Sequence, residues 1–284
     1  MSSLSEFHYR IPRRLGAWRP GSHPATTLGA GQEFVSHMSL YDRPDPRRLD
    51  LRASLRDVRE DWLIRVNRQR AAVPVHVVVD VSASMSFGAS KPKLRVVADF
   101  VEALGLSAFR VGDALGMVAF DEEERMDLFV PALMSRGSGS LMASLLRSCS
   151  ATSRGAAGVE AATHRLAGRP GLVFLVSDFH WSLSILDRAL DSLSRAFVVP
   201  VVVWDEREVE PPERSGLIRV RDLEEGSLRT LWMRPALRAQ WREGVAQRRA
   251  ELDAAFARHS LRPFYMQGAF DGEAMSRYFF EAAA

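Results

Sequence analysis

A doubly wound α/β domain is what this sequence predicts: a mostly parallel central sheet with helices on both faces, preceded by an extended N-terminal segment. Three observations carry that expectation. VPVHVVVD (73–80), GLVFLVSD (171–178) and FVVPVVVWD (197–205) are continuous apolar runs of strand length. A strand buried on both faces of a parallel sheet reads that way, whereas a half-solvated strand alternates. Stretches with apolar residues at helical spacing separate the runs, and each run ends in an aspartate, Asp80, Asp178 or Asp205.

The elements follow in order. Residues 1–72 are rich in Arg, Gly, Pro and His and have few continuous apolar runs. They are expected to form an extension packed on the main domain, with a short helix near Leu55–Arg70. The main domain, 73–284, opens with the first strand and the helical pattern KLRVVADFVEALGLSAFR. ALGMVAFD and RMDLFVPAL flank the acidic turn and predict a hairpin. SLMASLLRSC and VEAATHRLA read as helices around the loop ATSRGAAG. After the second strand, SLSILDRALDSLSRA is an amphipathic helix. Beyond the third strand, LIRVRDLEEGSLRTLWM predicts a peripheral hairpin, PALRAQWREGVAQRRAELDAAFARHS a long helix, and LRPFYMQG a last short strand.

Composition narrows the function classes. Hydrophobic residues make up 46% and charged residues 26%, as in soluble globular chains. No apolar run approaches the roughly 20 residues that span a bilayer, so no membrane insertion is expected. The first residues lack the apolar core of an export signal, and a cytoplasmic location is expected. Cys149 is alone, which leaves no disulfide framework. Of the 38 basic residues only Lys91 and Lys93 are lysine, and the other 36 are arginine. Acidic residues are interleaved with them throughout, so mixed solvated surfaces are expected and no nucleic-acid partner.

In a doubly wound sheet, ligands bind beyond the carboxyl ends of the strands. Asp80, Asp178 and Asp205 should share that edge, where three carboxylates repel one another unless cations compensate. Each also has a bland reading as a cap of the helix that follows. For Asp205, in the charged turn DERE, the cap is the reading preferred. For Asp178 the sequence alone leaves cap and ligand open. For Asp80 the alternate hydroxyls of Ser82 and Ser84 tip the balance, because three oxygen groups at this spacing suit a hard octahedral cation such as Mg²⁺. No GxxxxGK[ST], GxSxG or HExxH motif is present. Phosphatases that use a strand-end aspartate carry a second acid two positions on, where Ser82 stands here. His76 reads as a packed histidine.

Asp80-Val81-Ser82-Ala83-Ser84 resembles the DxSxS motif of the metal-ion-dependent adhesion site of von Willebrand factor A domains, and VSDF resembles that family's second aspartate loop. YDRPDPRRLDLRAS (41–54), with Asp45, Arg47, Asp50 and Arg52, is similar to the stretch preceding the A-type domain in a bacterial family of unknown function usually encoded beside MoxR-type AAA+ ATPases. VWDEREVEPPERSGLIRVRDLEEG also resembles that family. The likeness covers roughly residues 30–280. It implies a von Willebrand A-like fold and a non-catalytic interaction module, an adaptor between a MoxR-type ATPase and a client protein. By resemblance, Asp80, Ser82, Ser84 and Asp178 hold Mg²⁺. The family's threonine falls on Ala157, and Thr152, five residues earlier, is the candidate to replace it. Ser86, Lys91, Phe179 and His180 are the expected partner-binding residues. Two rival classes are an Mg²⁺-dependent phosphohydrolase using Asp80 and a basic nucleic-acid-binding protein.

Overall fold

The structure, a computed structural model, describes residues 6–11, 20–29, 33–151, 153–213, 215–221 and 228–281. The chain divides into two compact units, one of residues 11–73 and one of residues 1–10 with 74–284.

The smaller unit is a three-stranded antiparallel sheet of β1 (Pro20–Gly29), β2 (Glu33–Ser39) and β3 (Leu63–Ala71), with β3 in the centre, and a four-residue helix α1 (Leu51–Ser54) before β3. This replaces the helix expected near Leu55–Arg70. Ile64 and Val66 are buried while Arg65 between them is exposed, a period of two that fits a strand and not a helix. Asp50 ties the unit together: its carboxylate accepts from the Ala53 N–H at 3.1 Å and pairs with His37 at 3.1 Å and Arg65 at 3.0 Å. The helix cap and those partners hold its carboxyl below the usual carboxylate range.

The larger unit is the predicted α/β architecture. In chain order it contains β4 (Pro74–Asp80), α2 (Lys93–Val111), β5 (Ala114–Phe120), β6 (Glu124–Leu133), α3 (Ser138–Ser148), α4 (Val159–His164) and β7 (Leu172–Ser177). There follow α5 (Leu183–Ser192), β8 (Phe197–Trp204), α6 (Glu206–Val209), β9 (Gly216–Arg221), β10 (Leu228–Met233), α7 (Pro235–Arg258), β11 (Phe264–Gln267) and α8 (Gly272–Glu281). Six strands form one sheet in the order β11-β8-β7-β4-β5-β6. All neighbours in it are parallel except β5 and β6, which form the expected hairpin. The pair β9–β10 is the predicted peripheral hairpin.

Strand parity sends successive side chains to opposite faces. Val173 and Leu175 of β7 join Leu186 and Leu190 of α5 and Leu252 and Phe256 of α7 on one face. Phe174, between them, meets Phe100 of α2 at 5.3 Å and Phe279 of α8 at 6.1 Å on the other. Phe7 adds a further ring against Phe100, at 6.1 Å. His76 lies inside β4 and is buried, and burial pushes its imidazole down to about 4, so it is a neutral core residue. Among the described residues, no helix is long and apolar enough to cross a membrane.

Candidate functional site at the carboxyl edge of the sheet

The chain leaves β4 for β5 on one side and returns to β7 on the other, so strand order reverses between β4 and β7. The loops after these two strands therefore diverge, leaving the crevice in which such sheets bind ligands. Asp80 closes β4 and Asp178 follows β7, which places both carboxyls at that point.

Asp80 is completely buried. Its Oδ1 accepts the Ser82 N–H at 2.9 Å, and its Oδ2 accepts the Ser177 hydroxyl at 2.6 Å. Ser177 accepts in turn from the Phe179 N–H at 2.9 Å and the Trp181 Nε1–H at 3.0 Å, so its one proton is committed to Asp80. A single tight turn, Ala83–Ser86, then brings the Ser82 and Ser84 hydroxyls to 3.2 Å from each other. Ser84 also lies near enough to the Asp178 carboxylate to help lower its pKa. Asp80, Ser82, Ser84 and Asp178 are thus brought together. Burial, and after it the charge of Asp178, pushes the Asp80 carboxyl up to about 7 against the opposing hydrogen bonds from Ser177 and Ser82.

Asp178 behaves oppositely because of a residue that motif reading passed over. Lys93, the first residue of α2, is 2% exposed and donates through Nζ to Asp178 Oδ2 at 2.6 Å and to Glu208 Oε1 at 2.8 Å. Burial alone would raise the Asp178 carboxyl, but Lys93, His180 and Ser84 outweigh it and hold it below the usual range. Desolvation likewise opposes the Lys93 ammonium, and the two carboxylates reverse that and raise it. Glu208 is aimed by its own helix: its Oε2 accepts the Asp205 N–H at 2.8 Å in a capping box. The preferred reading of Asp205 as a cap describes its Oδ1, which accepts the Arg207 N–H at 3.0 Å. Yet Asp205 is 3% exposed, not a surface turn, and its Oδ2 accepts the Ala89 N–H at 3.0 Å, pinning the loop that leads to Lys93.

The expected partner-facing residues divide. Ser86 and His180 are exposed and Lys91 is partly exposed. The His180 ring lies parallel to Trp204, with centroids 6.3 Å apart. Phe179 is a correction: it is fully buried at a left-handed φ of 53° and packs edge-on against Phe256 at 5.3 Å. Apolar area drives that ring inward, so it offers no side-chain surface to a partner. Ala157 is exposed and contributes no oxygen, and Thr152 lies outside the described residues. The loop before Ala157 is held at the site by the Ser153 carbonyl, which accepts the Ala83 N–H at 2.9 Å. Gly158 has no room for a Cβ, which would fall 2.3 Å from the Glu123 carbonyl carbon.

One group among the described residues could hold a metal ion: Asp178, His180 and Glu208, whose ligand atoms all lie within 4.8 Å of one another. That is the space the Lys93 ammonium fills. For the Mg²⁺ implied by the sequence resemblance the fit is incomplete. Two hydroxyls converge beside Asp80, but both Asp80 oxygens are engaged, Asp178 faces an ammonium, and the expected threonine oxygen is missing at Ala157.

Residues 43–251 match the family described as "Protein of unknown function DUF58". Uncharacterized proteins of Mycobacterium bovis and Mycobacterium tuberculosis are 24% identical over 258 residues, 88% of this chain and 79% of theirs. Among solved structures, the conserved hypothetical protein BatB from Bacteroides thetaiotaomicron is similar at a TM-score of 0.44 and 16% identity, over 75% of this chain and 99% of that one.

Proposed function

We propose, from the premise that the chain belongs to the family described as "Protein of unknown function DUF58", that it is a non-catalytic interaction module of von Willebrand A type. It meets its partner at the carboxyl edge of the six-stranded sheet. The partner is a MoxR-type AAA+ ATPase, for which the chain is an adaptor toward a client protein. The observation that carries this reading is the meeting of Asp80, Ser82, Ser84 and Asp178 at the reversal of strand order, rimmed by exposed Ser86 and His180. A phosphohydrolase would need Asp80 to attack phosphorus. Its zero exposure and two engaged oxygens support the non-catalytic reading instead. Mg²⁺ enters the proposal only as an ion held by Asp80, Ser82 and Ser84, a ligand set short of what the ion takes elsewhere.

Titration of the purified chain against a MoxR-type AAA+ ATPase from the same organism, with Mg²⁺ and with chelator, is the test. Saturable association is expected, weakened at least tenfold by Lys91→Glu combined with His180→Ala while the melting temperature stays put. Absence of association with the ATPase overturns the adaptor role. Loss of association in chelator alone makes Mg²⁺ part of the contact.

A further inference from the structure

Lys93 is difficult to explain as an element of the fold alone. It is the first residue of a 19-residue helix, where the macrodipole disfavours a cation and favours an anion. It carries an ammonium into a space where it is 2% exposed, and burying a charge is unfavourable unless partners surround it. It is also one of two lysines in a chain that uses arginine 36 times. An ammonium is compact and point-like, whereas guanidinium is a broad planar fork. Nζ lies 2.6 Å from Asp178 and 2.8 Å from Glu208, and these two carboxylates with His180 are the same group whose spacing suits a metal ion. His180 Nε2 stands 3.9 Å from the Glu208 oxygen that Lys93 holds.

We propose that Lys93 is the resident cation of this edge: its ammonium fills a latent divalent-metal seat formed by Asp178, Glu208 and His180, so that the seat is satisfied without a metal. One nitrogen and two carboxylate ligands suit Mn²⁺ or Zn²⁺, and removing the ammonium opens the seat to them. The consequence for function rests on the reading of this edge as a partner surface: the acidic centre arrives at its partner already neutralised, with no dependence on divalent metal at Asp178.

Mn²⁺ binding to the purified full-length chain, followed by electron paramagnetic resonance and by melting temperature, tests the proposal without any partner. Wild type is expected to show no saturable binding that Glu208→Gln or Asp178→Asn removes. Lys93→Met is expected to bind one Mn²⁺ at least tenfold more tightly, to lose it again on adding Glu208→Gln, and to gain about 4 °C or more in melting temperature at saturating Mn²⁺. Lys93→Gln, which keeps a donor beside Asp178, replaces the methionine variant if that does not fold. Equal Mn²⁺ affinity in wild type and variant overturns the proposal, as does no binding in either. So does a wild-type site abolished by Glu208→Gln. Failure to bind an ATPase would sink the adaptor reading and leave these outcomes unaffected.

Discussion

Lys91 and Lys93 stand two residues apart and carry the same ammonium, yet they occupy opposite electrostatic regimes. Lys91 lies on the outer rim, 38% exposed, paired with Asp99 of α2, which it shares with Arg147 of α3. Arg147 reaches Glu102 at 2.6 Å as well, so this face is a shallow ionic network open to water. Lys93 turns inward, itself buried, and meets the buried Asp178 and the partly exposed Glu208. In water, Coulomb energy is small and the ordering of long side chains nearly cancels it. Where solvent is excluded, each charge is a liability once its partner is removed, and the arrangement is nearly all-or-none. The pair teaches that location, and not residue type, decides which of these ion pairs the fold depends on.

The sharpest way to break the contrast is Lys93→Met. It leaves the Asp178 carboxylate buried without its main counter-charge, and the loss expected is about 3–5 kcal/mol. Urea unfolding with and without the substitution measures it. Adding Asp178→Asn to Lys93→Met should recover a large part of the loss, because the stranded charge is then gone. A loss that the double variant does not reduce would place the cost in packing of the lysine stem and not in charge.

Asp80 sharpens the same contrast from the other side, since it is as buried as Asp178 but has no ammonium. Its folded carboxyl titrates near 7, above the ordinary 3.8, because of burial and then Asp178. Between those values the folded chain retains a proton that the unfolded chain has released. This group's contribution is therefore complete below about pH 4 and is lost as pH rises through 7, on the order of 4 kcal/mol. Asp178, held below the usual range, runs the opposite way, and its contribution is lost as pH falls through its folded value. Stability of Asp80→Asn across pH 4–8 should lack the decline that wild type shows. An unchanged decline would assign it to another group.

Much of the fold was legible because burial on both faces writes continuous apolar runs, and β4, β7 and β8 are such runs. The site's first loop was legible because Asp80, Ser82 and Ser84 are close in sequence. Its second half was not, because Lys93 opens α2, Asp178 follows β7 and Glu208 lies in α6, and only the fold brings these three separate segments together. A signal did exist: lysine at 91 and 93 in a chain otherwise restricted to arginine. Helix α8 was readable and missed. Asp271 caps it through the Glu273 and Ala274 N–H groups, and Met275, Tyr278 and Phe279 keep helical spacing on its buried side. The N-terminal sheet was hidden for a physical reason. Its central strand LIRVNRQRA carries three arginines, an asparagine and a glutamine, and so many polar residues resemble a solvated segment until β1 and β2 pair with it.

The smallest effect expected is at Lys91. Lys91→Met removes a partly exposed partner from Asp99, but Arg147 remains 3.1 Å from that carboxylate and keeps it compensated. The cost should stay within about 1 kcal/mol and shrink further in high salt, where exposed pairs are screened. Measured beside Lys93→Met under the same urea titration, it gives the contrast its number: two neighbouring lysines, several-fold apart in effect, with only the weaker one responsive to ionic strength. Equal costs for the two substitutions would mean that the inner ammonium is as well solvated as the outer one. The strand-end carboxylates would then sit in an open cleft, and Lys93 would have no claim to be their resident cation.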